Sequence, residues 1–223
     1  MSYLDFMTKT IDAMSDSPVK AYLRRTISTQ AAFEQAAVKF ASDQNLSPSG
    51  VVNEGRKHLK AHAHELVRVR KIAERASAHI ADQRSKLKLQ AVDPTDAASA
   101  ILRGQVRDKL AGKSSKEIAA LAPSLSPLFL SAIIEAPELL GIDQNAAEAV
   151  RDAAIERAYP GELAKLRDQQ DAVNLLINAI RPLADAARSL AGLPNEHALN
   201  EFVNEAVPDQ RHIEADVERS LAA

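Results

Sequence analysis

The side chains best suited to chemistry lie between residues 55 and 80, in the sequence GRKHLKAHAHELVRVRKIAERASAHI. His58 and His62 are four residues apart and Glu65 follows three residues later, so one helix could present all three to a divalent metal ion. A helical di-metal centre also needs Glu-x-x-His motifs on its other helices, and neither His197 nor His212 follows a glutamate at that spacing. The zincin pattern His-Glu-x-x-His is absent as well. We therefore predict no metal or cofactor, and a metal-dependent enzyme remains the weakest alternative.

Other catalytic motifs are incomplete. The string AGKSSKE resembles the end of a phosphate-binding loop, but that motif requires a glycine five residues before Gly112, where Arg107 stands. The chain has no Gly-x-Ser-x-Gly elbow and no cysteine, which excludes a thiolate nucleophile and a disulfide. Acidic pairs such as Glu135 and Glu138 share a helix face, but a general acid also needs a cleft and a raised pKa. The sequence therefore predicts a protein that is not an enzyme.

Charge is distributed unevenly along the chain. Residues 56–90 contain ten Lys and Arg against three Asp and Glu, a balance of +7, whereas residues 134–223 contain eight against seventeen, a balance of −9. The two parts can neutralise each other, or the basic helix can contact the phosphates of a nucleic acid. No Phe, Tyr or Trp between residues 41 and 90 offers a base a stacking surface, which favours a duplex over a single strand. The candidate phosphate-binding residues are Arg68, Arg70, Lys71 and Arg75.

Helices must position these residues. Forty-one alanines, seven glycines and few aromatic residues favour an almost entirely helical chain. The stretch from Pro48 to Gln90 contains no internal proline and predicts a single rod of about 65 Å, because an α-helix rises about 1.5 Å per residue. Its apolar positions alternate at spacings of three and four residues, the pattern of a helix that lies along another helix. The proposed partner-binding residues are Leu59, His62, Leu66, Val69, Ala73, Ala76 and Ile80.

These patterns predict an all-α fold with two parts. Residues 1–92 would form a helical arm that carries the long basic helix, and residues 93–223 a more compact acidic bundle. The N-terminus lacks the basic and apolar regions of a signal peptide, and no stretch approaches the roughly 20 apolar residues that cross a bilayer. We expect a soluble protein without a membrane partner, in the host cytoplasm or in a virion if a phage encodes it.

Three stretches resemble uncharacterised all-helical proteins encoded by tailed bacteriophages and prophages. They are DPTDAASAILRGQVRDKL, IIEAPELLGI and RAYPGELAKL, and the similarity covers about residues 86–190. The resemblance implies a phage accessory or virion-assembly context. It carries no catalytic residues over to this chain.

The sequence thus predicts a non-catalytic helical protein that acts through helix–helix association, either as a homo-oligomer or within a larger assembly. This function rests on apolar seams that exceed what a small bundle covers internally. Nucleic-acid binding through residues 56–88 is the main alternative. A metal-dependent enzyme at His58, His62 and Glu65 is the other.

Overall fold

The computed structural model describes residues 3–89 and 95–222, and within those residues the chain is all-α, as predicted. No strand occurs there, and no helix in the same residues is both long and apolar enough to cross a membrane. The α-helices of the described residues are α1 (Tyr3–Ala13), α2 (Pro18–Ser42), α3 (Pro48–Lys86), α4 (Ala97–Leu110), α5 (Ser115–Leu121), α6 (Pro127–Glu135), α7 (Gln144–Ala158), α8 (Glu162–Leu190), α9 (Glu196–Ala206) and α10 (Arg211–Ala222). Two short 3-10 helices are η1 (Ala122–Ser124) and η2 (Pro137–Leu140).

Helix starts follow local sequence signals. The Ser17 side chain accepts a hydrogen bond from the backbone N–H of Lys20 at the start of α2, and Pro18 fits the first turn because its missing N–H has no partner there anyway. Ser114 and Glu117 form the capping box that their spacing predicts, with each side chain accepting from the other residue's backbone N–H. These caps mark the starts of α2 and α5.

The long helix α3 is continuous over 39 residues, from Pro48 to Lys86. The predicted end at Gln90 lies outside the described residues. At Gly55 the helix approaches the end of α8 so closely that a Cβ added there would lie 2.0 Å from the backbone oxygen of Leu190. Only glycine permits this approach, because every other residue carries a Cβ.

The described residues form two compact units. The terminal unit takes those within Met1–Ala81 and Asp168–Ala223, and the middle unit takes those within Asp82–Arg167. The boundary predicted at residues 92 and 93 lies outside the described residues, and this grouping differs from the predicted arm and bundle. The difference has a physical cause, since α9 and α10 contact the basic helix α3 through hydrogen bonds and ion pairs such as Arg70–Asn200 and Lys71–Glu214.

The middle unit has its own apolar core, formed by α4 to α7 with η1. Ile118, Leu130, Ile133 and Val150 are fully buried in it. The apolar segment SPLFLSAIIEAPELLGI lies within this unit, and its residues Leu130, Ala132 and Ile133 belong to the core.

Candidate functional site

The seven proposed partner-binding residues already pack against other parts of the same chain. Six of them are buried in the terminal unit, and the half-buried His62 packs against Phe33 of α2. The buried six are Leu59, Leu66, Val69, Ala73, Ala76 and Ile80. A side chain that is already covered by its own chain cannot bury further area against a partner. The structure therefore assigns the six buried residues to the core of the terminal unit.

His58 and His62 form a small aromatic cluster with α2. Their ring centroids are 4.5 Å apart, and Phe33 meets both rings edge-on while Phe40 meets His58. The Nδ1–H of His62 donates to the backbone oxygen of His58 at 2.9 Å, whereas the buried Nε2 of His58 has no hydrogen-bond partner among the described residues. Burial lowers the pKa of His58, and positive charge on His62 and Lys39 lowers it further.

Glu65 does not join this histidine pair. Its buried carboxylate accepts hydrogen bonds from Arg25 Nη2 at 2.6 Å and from Arg68 Nη1 at 3.0 Å, and His64 Nε2 lies 2.9 Å away. Its second oxygen lies 2.5 Å from Arg25 Nε, a charge contact that lacks hydrogen-bond geometry. Arg25 and Arg68 thus bind the carboxylate that a metal site with His58 and His62 would need as a ligand. Within residues 3–89 and 95–222, no three His, Cys, Asp or Glu side chains come together as metal ligands.

The four candidate phosphate-binding residues all have partners on the C-terminal helices. Lys71 Nζ lies 2.8 Å from Glu214, and Arg75 Nη2 lies 3.5 Å from Glu218. Arg70 donates to the Asn200 side chain, and Arg68 lies 4.0 Å from Asp216 in addition to its bond with Glu65. The hydrogen bond with Glu214 raises the pKa of Lys71. The charge of the basic helix is therefore partly neutralised within the terminal unit.

No protein-family model, curated protein or solved structure matches the chain. A candidate site therefore has to come from the geometry of the chain itself.

The middle unit contains an ion network that joins α4 to α6. Arg103 is buried, and its guanidinium donates to the Glu135 carboxylate at 3.0 Å, while Arg107 donates to the same carboxylate at 2.9 Å. The hydrogen bond from Arg107, followed by that from Arg103, lowers the pKa of Glu135, so the charged form of this carboxylate is favoured.

Ile101 and Leu102 immediately precede Arg103, and Leu139 follows Glu135 by four residues on η2, which contacts α4. We call Ile101, Leu102 and Leu139 the α4–η2 surface. Their exposed fractions are 64%, 47% and 70%. The sequence carries no distinct signal for this surface, because the exposure of its side chains depends on how α4 packs within the middle unit.

A groove of about 690 Å³ lies elsewhere in the middle unit, along α7 and the start of α8. Two of the acidic side chains that line this groove, Asp152 and Glu156, already have partners within the chain. Asp152 contacts Arg84 at 3.2 Å and Arg167 at 2.9 Å, and Glu156 accepts from the backbone N–H of Gly161 at 2.8 Å. Alanines form much of the remaining lining, so the groove has few free polar groups with which to orient a small molecule.

Proposed function

We propose that the protein is a non-catalytic association protein that binds another protein, including a second copy of itself, through the α4–η2 surface. The observation that supports this function is the exposure of Ile101, Leu102 and Leu139, which lie on two elements, α4 and η2, that contact each other. Complete burial of a large aliphatic side chain stabilises by roughly 1.5–3 kcal/mol. Because these side chains are already partly covered, three of them supply part of that amount each, enough for a measurable contribution to association.

The two alternatives have less support from the geometry. Nucleic-acid binding would have to recruit Arg68, Arg70, Lys71 and Arg75, each of which already has an acidic or polar partner in the chain. A metal site would require Glu65 to give up its hydrogen bonds with Arg25 and Arg68. The resemblance to phage accessory proteins suggests that the partner belongs to a phage particle or to host machinery that a phage redirects.

The test is a double substitution, Ile101→Asp with Leu139→Asp. Sedimentation of the wild-type chain over a wide concentration range should show reversible association, or affinity capture from a phage-infected host should recover a specific protein. The double variant should lose either interaction, because a charged carboxylate resists transfer into an apolar interface. Val38→Asp is the matched control, since Val38 is 71% exposed but lies on α2 in the terminal unit.

Two results would count against the proposed function. One is a wild-type chain that stays monomeric at high concentration and captures no protein. The other is an equal loss of association in the Val38→Asp control, which would show that added negative charge, and not the α4–η2 surface, controls association.

A further inference from the structure

The terminal unit contains a surface depression of about 480 Å³ in which three arginines from three helices meet two hydroxyl groups. It is lined by Tyr22 and Arg25 of α2, Arg68 of α3, and Asp216, Arg219 and Ser220 of α10. We propose that this depression binds an oxyanion of the phosphate class. Such a ligand has several acceptor oxygens and at least one negative charge, which suits guanidinium and hydroxyl donors.

The charges around the depression do not cancel. Arg25, Arg68 and Arg219 contribute three positive charges, and the contacting carboxylates of Glu65 and Asp216 contribute two negative ones. The cluster therefore carries a net charge of +1, although each arginine contacts a carboxylate. A bound oxyanion would supply the missing negative charge.

Two of the arginines keep donors available. Arg25 uses Nε and Nη2 on Glu65, and Arg219 uses Nη2 on Asp216 at 3.1 Å. This leaves Nη1 of Arg25 and the Nε and Nη1 groups of Arg219 without partners among the described residues. Both side chains reach solvent, with exposed fractions of 51% and 77%, so a ligand can approach them.

The buried part of the cluster holds the donors in place. Glu65 binds Arg25 and Arg68 together, and Arg68 is largely buried. At the opposite side, the Tyr22 hydroxyl donates to Ser220 Oγ at 3.3 Å, and Ser220 Oγ donates to the backbone oxygen of Asp216 at 2.8 Å. The Tyr22 bond is long, so its hydroxyl can turn to an incoming oxyanion at little cost. Pre-organised donors lose less entropy when a ligand binds.

The experiment titrates the full-length chain with inorganic phosphate at constant ionic strength, followed by amide chemical shifts. O-phosphoserine replaces phosphate in a second arm, because the same oxyanion chemistry can come from a free ion or from a phosphoryl group on a larger molecule. Saturable shifts should appear at the end of α10 and near Tyr22. Removal of one charge-assisted donor should weaken binding about tenfold or more.

The variants are Arg25→Gln and Arg219→Gln, with matched controls on the same helices. Arg24→Gln changes the neighbouring residue on α2, which pairs with Asp12, and Arg211→Gln changes an exposed residue of α10, which pairs with Asp209. The Arg219 variant leaves the Glu65 contacts untouched, so it tests binding even if Arg25→Gln destabilises the fold. Unfolding midpoints of all four variants report their folding.

The proposal predicts that both test variants lose affinity and both controls keep it. Preference for phosphoserine over phosphate would identify a phosphorylated macromolecule as the source, and the reverse a free ion. The proposal is overturned if phosphate gives no saturable shifts, if chloride at equal ionic strength gives the same shifts, or if control and test variants behave alike.

Discussion

His58 lies in a setting that disfavours its protonated form. Burial is the first cause, and the positive charges of His62 and Lys39 add to it. The rings of Phe33 and Phe40 surround it, and its Nε2 has no acceptor among the described residues to stabilise an added proton. Protonation of this side chain in the folded state is therefore costly.

This cost predicts a pH dependence of stability. Because the folded-state pKa of His58 lies below its ordinary value of 6.5, the unfolded chain takes up the proton first as the pH falls. The His58 contribution to the free energy of unfolding is intact above that value and declines from about pH 6.5 down to the lower folded pKa. Urea denaturation between pH 7.5 and pH 5 measures the decline, and His58→Gln should make it shallower.

His197→Gln is the control for this effect. His197 is exposed on α9 and its ring lies 3.2 Å from Glu201, so its replacement should leave the decline caused by His58 in place. If His58→Gln and the wild-type chain lose stability in parallel over this pH range, His58 does not cause the decline.

The element most sensitive to a small change is α3 at Gly55. In Gly55→Ala the new methyl group overlaps the backbone oxygen of Leu190, at a distance of 2.0 Å if nothing moves. The end of α8 would have to shift, because a backbone carbonyl cannot rotate away like a side chain. Overpacking of this kind costs about 2 kcal/mol or more. Denaturant titration should show this as a lower midpoint, with a slope close to that of the wild-type chain.

Gly104→Ala supplies the matched control within α4. A Cβ at Gly104 meets no atom within 4 Å, so alanine gains helix propensity without a clash. It should stabilise by about 0.5–1 kcal/mol. An equal response of the two variants would contradict the close approach of α3 and α8 at Gly55.

The sequence predicts the elements better than their contacts. Local signals such as Ser17 with Pro18, or Ser114 with Glu117, are sufficient to locate helix starts because their hydrogen bonds span only three residues. The 3/4 spacing in α3 likewise selects the seven proposed partner-binding residues, of which six are buried. Periodicity says which face is covered, however, and not by what. The covering residues lie far along the chain, as Leu190 does from Gly55.

The same limit applies to the candidate site. Ile101 and Leu102 look like ordinary helix residues in the sequence, and their exposure depends on how α4 packs within the middle unit. The arginine cluster joins Arg25, Arg68 and Arg219, which are separated by tens of residues and carry no common motif. Spacing rules apply within one helix, so they cannot bring together side chains from three helices.

At the scale of the whole molecule, the opposed charges of the sequence meet within the terminal unit. Glu214 and Glu218 are one turn apart on α10 and contact Lys71 and Arg75 of α3. Such pairs are partly exposed, so each contributes little to stability. Their larger effect is on the electrostatic potential at the surface, since they reduce the attraction of the basic helix for phosphates.

Replacement of both acids, as Glu214→Gln with Glu218→Gln, should therefore increase the affinity of the chain for duplex DNA. Lys71 and Arg75 would lose their α10 partners and become available to phosphates, and binding should weaken steeply as salt rises, by a log–log slope of about 0.9 for each phosphate contact. Fluorescence anisotropy of a labelled duplex at several salt concentrations measures it. Glu201→Gln with Glu205→Gln on α9 changes the net charge equally but leaves both ion pairs intact. If this control gains the same affinity, the change in net charge explains the binding. The loss of the Lys71 and Arg75 ion pairs then does not.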